Sequence, residues 1–137
     1  MAYEIPGLMA TFISSGNLSA KQYRFVKLGA TANAVVACSA PADKVLGVLQ
    51  NAPSTGGTDA AVVMLSGISK VYKDSTAAAL EIDDLVTVST ESGGAKQSTG
   101  TISVYVVGYA LEAMAAGTTG LVSVFLTHNG YGSSGVT

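Results

Sequence analysis

Short apolar runs, broken by turn formers roughly every 8–12 residues, constrain this chain more than any other feature. The runs "QYRFVKL", "NAVVACS", "KVLGVLQ", "AAVVML", "ISKVYK", "LVTVST" and "LVSVFLTH" are rich in β-branched and aromatic residues. Each is too short for a stable helix and the right length for a strand. Between them lie "GATA", "APAD", "NAPSTGGTD" and "AAGTTG", in which Gly, Pro, Asn and Asp each favour a turn. Such spacing implies an all-β sandwich or barrel and argues against βαβ units.

Alternation assigns faces within the runs. Ile68, Lys70 and Tyr72 oppose Val71, while Leu121, Ser123, Phe125 and Thr127 oppose Val122, Val124, Leu126 and His128. In "QYRFVKL", Tyr23 and Phe25 share a face with Arg24 between them. In the loop "NAPSTGGTD", Pro53 fixes φ, Gly56 and Gly57 permit positive φ, and Asn51 and Asp59 can bond nearby backbone. One segment, "DSTAAALEIDD", has the composition of a short helix, capped by Asp74 or Ser75 and continued from Ala77 to Glu81. The stretch "GTISVYVVGYALEA" reads as strand to about Glu112 and makes a hairpin-like pair with "LVTVST" around Gly93-Gly94. The tail "NGYGSSGVT" is flexible in composition.

Residues 1–20 differ in kind. They mix Ile5, Leu8, Met9, Phe12 and Ile13 with Pro6, Gly7, Gly16 and Asn17 and keep no period. This reads as an extended N-terminal arm that must lie on its own domain or on a neighbour, or else as a strand of the domain's own core. Residues 21–137 form a single β domain, without internal repeat or linker. Only 12% of the 137 residues are charged, against roughly 25% in an average soluble domain. The surface must then be largely Ala, Gly, Ser and Thr, which lowers the cost of burying it against a partner. Basic residues stand singly, so no footprint for nucleic acid is present. Cys38 is alone, which excludes an intrachain disulfide, and it reads as a small buried strand residue. The N-terminus lacks the basic and unbroken apolar regions of a secretory signal, and no apolar run approaches the ~20 residues of a membrane span. Synthesis in a cytoplasm, with no membrane partner, is expected.

Chemistry is sparse. His128 is the only histidine and precedes a Gly turn, a place for a surface or turn role. Glu81, Asp83 and Asp84 form the one acidic cluster, but they lack the ligand spacing of a calcium loop and read as a solvated turn. The loops "STGGTD" and "SGGAKQSTG" match neither phosphate-binding pattern and read as hairpin loops. No nucleophile has a base beside it in sequence. The residues therefore imply no catalytic site, no metal, no cofactor and no small-molecule substrate; a hydrolase built on Asp83, Asp84 or His128 is the weakest reading.

Five stretches together carry a family resemblance. They are "FVKLGA" (Phe25–Ala30), "DKVLGVLQNAPSTGG" (Asp43–Gly57), "VVMLSGISKVY" (Val62–Tyr72), "DDLVTVSTESGGAK" (Asp83–Lys96) and "VVGYALEAMAAGTTGLVSVFL" (Val106–Leu126). In this order they resemble the capsid cement, or head decoration, proteins of tailed bacteriophages, over about Tyr23 to Leu126. The resemblance implies a small β-barrel or β-tulip-like domain with an extended N-terminal arm, the alternative being a β-sandwich or jelly roll. It implies a homotrimer on the outside of the virion capsid, bound to the major capsid protein and stabilising the expanded shell. Residues 1–20 do not share the family pattern, and their position and composition make Tyr3, Ile5, Leu8, Met9 and Phe12 the expected capsid contacts. The rival is another virion β-domain, a tail or fibre component that binds host-surface glycans.

Overall fold

The computed structural model describes residues 2–89, 94–97 and 104–132, and there every helix or strand assigned is a strand. In chain order these are β1 (Ile5–Pro6), β2 (Met9–Ser14), β3 (Phe25–Leu28), β4 (Ala34–Ala37), β5 (Gly47–Leu49), β6 (Ala60–Met64), β7 (Gly67–Lys73), β8 (Leu85–Val88), β9 (Ala95–Gln97), β10 (Val104–Ala110) and β11 (Gly120–Gly132). The all-β expectation holds, and it holds as a barrel. Strands β2, β4, β3, β5 and β6 close on themselves in that order. A 6-stranded sheet follows the order β1-β7-β11-β10-β8-β9, and β9 reaches back to pair with β7 at Lys73↔Ala95.

Burial explains why some runs alternate and others do not. Inside the barrel, Leu18, Val26, Val35, Leu49, Ala61 and Val63 form one core, with Phe12 packed against it. A second core lies between the barrel wall and the sheet, where Phe25, Val48 and Met64 meet Val71, Val122 and Val124. Strands β3, β5 and β6 thus contribute to both cores, which requires near-continuous apolar sequence. Strand β7 faces the core on one side only. Its Ser69, Val71 and Lys73 are buried while Ile68, Lys70 and Tyr72 are half-exposed, matching the alternation of the sequence.

The first strands belong to the domain itself, β2 as part of the closed barrel and β1 at the edge of the larger sheet. Residues 5–13 run antiparallel to residues 60–68 in one constant register, from Ile13↔Ala60 through Met9↔Met64 to Ile5↔Ile68. Between the two paired stretches, Gly7 N–H donates to Ser66 O at 3.1 Å and Leu65 N–H to Leu8 O at 2.8 Å. This ribbon passes from barrel to sheet without losing its hydrogen bonds. Gly67 makes the crossing possible: its φ is +105°, and a Cβ there would collide with Gly7 N and Ile5 O.

Three local expectations are corrected. The helix in "DSTAAALEIDD" does not form. Asp74 does cap, with Oδ1 accepting from Thr76 N–H at 2.9 Å and Ala77 N–H at 3.1 Å. The chain then turns away, because Leu80 is drawn into an isolated bridge with Met114. Strand β10 ends at Ala110 rather than Glu112; Leu111 N–H still donates to Ser123 O at 2.9 Å in the β10–β11 register, and the chain bends from there. Tyr23 is not in the strand with Phe25; its φ is +62°, and its carbonyl accepts from Tyr72 N–H at 2.8 Å. Gly93 and residues 133–137 of the tail lie outside the described residues.

Candidate functional site

The five side chains expected to make contact divide in two. Tyr3, Ile5, Leu8 and Met9 are exposed, with Ile5 58% and Leu8 62% accessible. Phe12 is not available in the same way: it points into the barrel, opposite Ala61, and packs on the inner core. The outward positions of β2 are Met9, Thr11 and Ile13, so Ile13 takes the surface place expected of Phe12. Alternation along "MATFIS" carries that signal, once the segment is known to be a strand.

Strand register assembles a second apolar surface that sequence reading missed, apart from Ile5. Ile5 stands opposite Ile68, Ile68 opposite Phe125, Phe125 opposite Tyr109, and Tyr109 opposite Leu85. Directly opposed residues share a face. The five side chains therefore form one row across β1, β7, β11, β10 and β8. Phe125 is 37% and Leu85 44% exposed, and the Phe125 and Tyr109 rings stack at 5.4 Å with 7° between their planes. The available signal was Phe125 itself, an aromatic on the face of "LVSVFLTH" that otherwise carries Leu121, Ser123 and Thr127.

Several buried or half-buried polar groups are tied up in structure. Lys73 is fully buried, and its Nζ donates to the carbonyls of Asp74, Ala77, Ala115 and Thr118, each at 3.3 Å. Burial pushes the Asp74 carboxyl up, but hydrogen bonds led by the Thr76 hydroxyl outweigh it and hold the group below its ordinary value. Asp43 is held low in the same sense: burial opposes ionisation, while Lys27 Nζ at 2.7 Å and the N–H groups of Ser39 and Ala40 favour it. Burial, with Asp43 nearby, pushes the Cys38 thiol up to about 12.

His128 lies inside β11, not in a turn, with φ of +48°. Its Nε2 donates to Leu65 O at 2.7 Å and its Nδ1 accepts from the Tyr105 hydroxyl at 3.3 Å, so it links the sheet to the barrel–sheet crossing. Glu81, Asp83 and Asp84 sit on an exposed turn closed by Asp84 Oδ2 accepting from Glu81 N–H at 2.8 Å. Among the described residues, no three His, Cys, Asp or Glu gather around a common point as a metal site requires. A pocket of about 220 Å³, lined by Lys27, Leu28, Lys44, Val45 and Leu46, opens at the barrel surface, with Lys27 already paired to Asp43.

A closed five-stranded barrel joined by a continuous ribbon to a second, antiparallel sheet defines the class of this domain. Among solved structures, the chain is similar to the head fiber gp8.5 N base of bacteriophage phi29, with a TM-score of 0.59 and 16% identity over 90% of this chain and 96% of that one. At that identity the likeness is one of fold. No family model matches the sequence, and no curated protein does.

Proposed function

We propose that this chain is a structural protein of a phage virion that binds the outer surface of the capsid as a homotrimer and stabilises the expanded shell. The observation that carries the reading is the fold likeness to a phage head fiber base, which spans nearly all of both chains. The exposed Tyr3, Ile5, Leu8 and Met9, together with Ile13, supply an apolar surface for the major capsid protein. Attachment works by avidity: each trimer engages several shell subunits at once, so modest single contacts sum to near-permanent binding. Mixing the purified protein with expanded capsids stripped of surface proteins, then sedimenting them, tests the reading. Co-sedimentation that saturates is expected; free protein left in the supernatant at every concentration would refute it.

The stacked Tyr109–Phe125 pair favours one rival. An exposed aromatic platform suits a sugar ring, as a fibre component binding host-surface glycans would require. A glycan array with hits that vanish in Phe125→Ser would establish that rival.

A further inference from the structure

We propose that the first half of β2 is a docking slot for the extended N-terminal segment of another polypeptide, which adds itself as one more strand beside Met9, Ala10 and Thr11. Backbone N–H and C=O groups are obligatory hydrogen-bonding groups, and alternate residues of a strand point theirs to opposite edges. On β2 the even-numbered residues face the β6 side: Ser14 N–H donates to Asp59 O at 3.0 Å, and Leu8 O accepts from Leu65 N–H at 2.8 Å. The odd-numbered residues face the other way. Ile13 N–H donates to Asn33 O at 2.8 Å and Ser15 N–H to Val35 O at 3.0 Å, both towards β4. Met9 and Thr11 point to that same edge and meet nothing there. Thr11 stands opposite Val62, yet Val62 O accepts from Gln50 N–H at 2.8 Å and Val62 N–H donates to Asn51 Oδ1 at 3.0 Å. Among the described residues no hydrogen bond reaches the backbone of Met9 or Thr11 on this edge, and both residues are exposed.

The edge is open because β4 begins late. Strands β2 and β4 pair only at Ile13↔Ala34 and Ser14↔Val35. Before Ala34 the chain turns off towards β3: Asn33 has φ of +59°, Ala34 N–H donates to Thr31 O at 3.1 Å and Gly29 N–H to Ala34 O at 2.8 Å. Asn33 is therefore the floor of the slot. Exposed strand edges are commonly guarded by proline or charge; β1 carries Pro6, but residues 8–13 carry neither. Floor and edge together define the occupant. An antiparallel strand satisfies all four free groups with two residues, one opposite Met9 and one opposite Thr11, each exchanging two hydrogen bonds. A parallel strand would need a donor between Thr11 and Ile13, where Asn33 stands. The antiparallel strand has its N-terminus at the floor and reaches no further than the place opposite Phe12. A second copy cannot use its own β2 here, because antiparallel about Ala10 its Gly7 would fall opposite Ile13 and meet Asn33. Opposed residues share a face. The residues opposite Met9 and Thr11 thus lie outward, where polar β-branched side chains suit, and the one opposite half-buried Ala10 points barrel-side and suits a small apolar side chain. This slot goes beyond the capsid reading and does not rest on it.

A labelled peptide reads the slot. The probe is Val-Thr-Val-Thr-Val with a free N-terminus and a fluorophore at its C-terminus, so that its threonines meet Thr11 and Met9 and its central valine meets Ala10. In the free protein the Met9 and Thr11 amides should exchange hydrogen at least about 100-fold faster than those of Ala10 and Phe12, and saturating peptide should slow them about 10-fold or more. N-methylation of either threonine should remove binding, while N-methylation of the central valine, whose N–H points away, should leave it. Two alanines added before the first valine would run into Asn33 and should remove binding; two added after the last valine should not. Thr11→Pro deletes a donor that the fold does not use, so its circular dichroism should match that of the natural protein and its peptide binding should vanish. Should Thr11→Pro fold poorly, the exchange and N-methyl results decide alone. Three results would each overturn the slot: Met9 and Thr11 amides as protected as Ala10 in the free protein, equal binding by the N-terminally extended peptide, or no saturable binding up to about 5 mM peptide.

Discussion

At the scale of single residues, the charges that matter for stability are the ones held by backbone. Lys73 projects from β7 into a cage of four carbonyls supplied by the turn after β7 and by the loop before β11. Lys73→Met keeps the length and much of the volume but leaves buried acceptors without a donor, a loss of roughly 2–4 kcal/mol. Urea unfolding at neutral pH checks this, and a loss below about 1 kcal/mol would show that water replaces the ammonium freely. Asp43 predicts a pH dependence. Its folded carboxyl lies below its ordinary value, so the folded state binds fewer protons than the unfolded one near pH 4. Its contribution is therefore complete above the unfolded value and fades as pH falls through the folded one. The stability gap between the natural protein and Asp43→Asn, measured by urea midpoints, should be open at pH 7 and should narrow as the pH falls below the ordinary carboxylate value. A gap that stays constant would mean that Asp43 acts through packing alone. Neither role was legible in the sequence. Lys73 and Asp43 stand there as scattered charges among others, and only the folded loops bring carbonyls to one and Lys27 to the other.

At the scale of elements, the strands were largely readable and their partners were not. Runs such as "ISKVYK" and "LVSVFLTH" declare strand by alternation, and "NAPSTGGTD" declares a loop whose Asn51 does bond Ala60 O at 2.8 Å and Val62 N–H at 3.0 Å. The failures share a physical cause, which is that a distant contact outbids a local preference. Leu80 leaves a helix-forming stretch to bridge Met114, and Tyr23 leaves the strand of Phe25 to accept from Tyr72 N–H. The parallel pairing of β2 with β4 at Ile13↔Ala34 has no local signal at all. Close strand approach is most demanding at Gly108, where β10 shifts register between Val106 and Gly108 against β11. A Cβ there would overlap the Phe125 carbonyl oxygen, a backbone atom that cannot move aside cheaply. Gly108→Ala should cost more than about 2 kcal/mol in thermal or urea unfolding. Gly16→Ala, with open space around it, should stay within about 0.5 kcal/mol. Equal effects at the two sites would mean that the sheet relaxes around the new methyl and that the register shift is not fixed by Gly108.

At the scale of the whole molecule, the decisive contacts are those that tie barrel to sheet. The larger core takes Phe25, Val48 and Met64 from the barrel and Val71, Val86 and Val122 from the sheet, so parting the two halves would expose it on both sides. Polar links span the same junction: His128 reaches Leu65 O at 2.7 Å, and Gln50 Nε2 donates to Ser69 Oγ at 3.0 Å. The N-terminal ribbon crosses it as well, and its two strands carry different weight. Strand β1 lies at the edge of the sheet, paired with β7 alone, whereas β2 stands between β4 and β6 and completes the barrel ring. Removing residues 2–7 should therefore lower the melting temperature while leaving one cooperative transition. Removing residues 2–14 deletes β2, exposes the inner core of Val26, Val35, Leu49 and Val63, and leaves the β4 and β6 edges unpaired. That variant should lose its cooperative melt by circular dichroism and aggregate. A cooperative melt retained by the longer deletion would make the N-terminal segment a detachable arm laid over a complete domain, and the exposed residues of β1 and β2 would then be free to follow a partner's surface. The constant register from Ile13↔Ala60 to Ile5↔Ile68 argues for the opposite: the exposed Ile5, Leu8 and Met9 are presented on a rigid ribbon, with their spacing already set before any partner arrives.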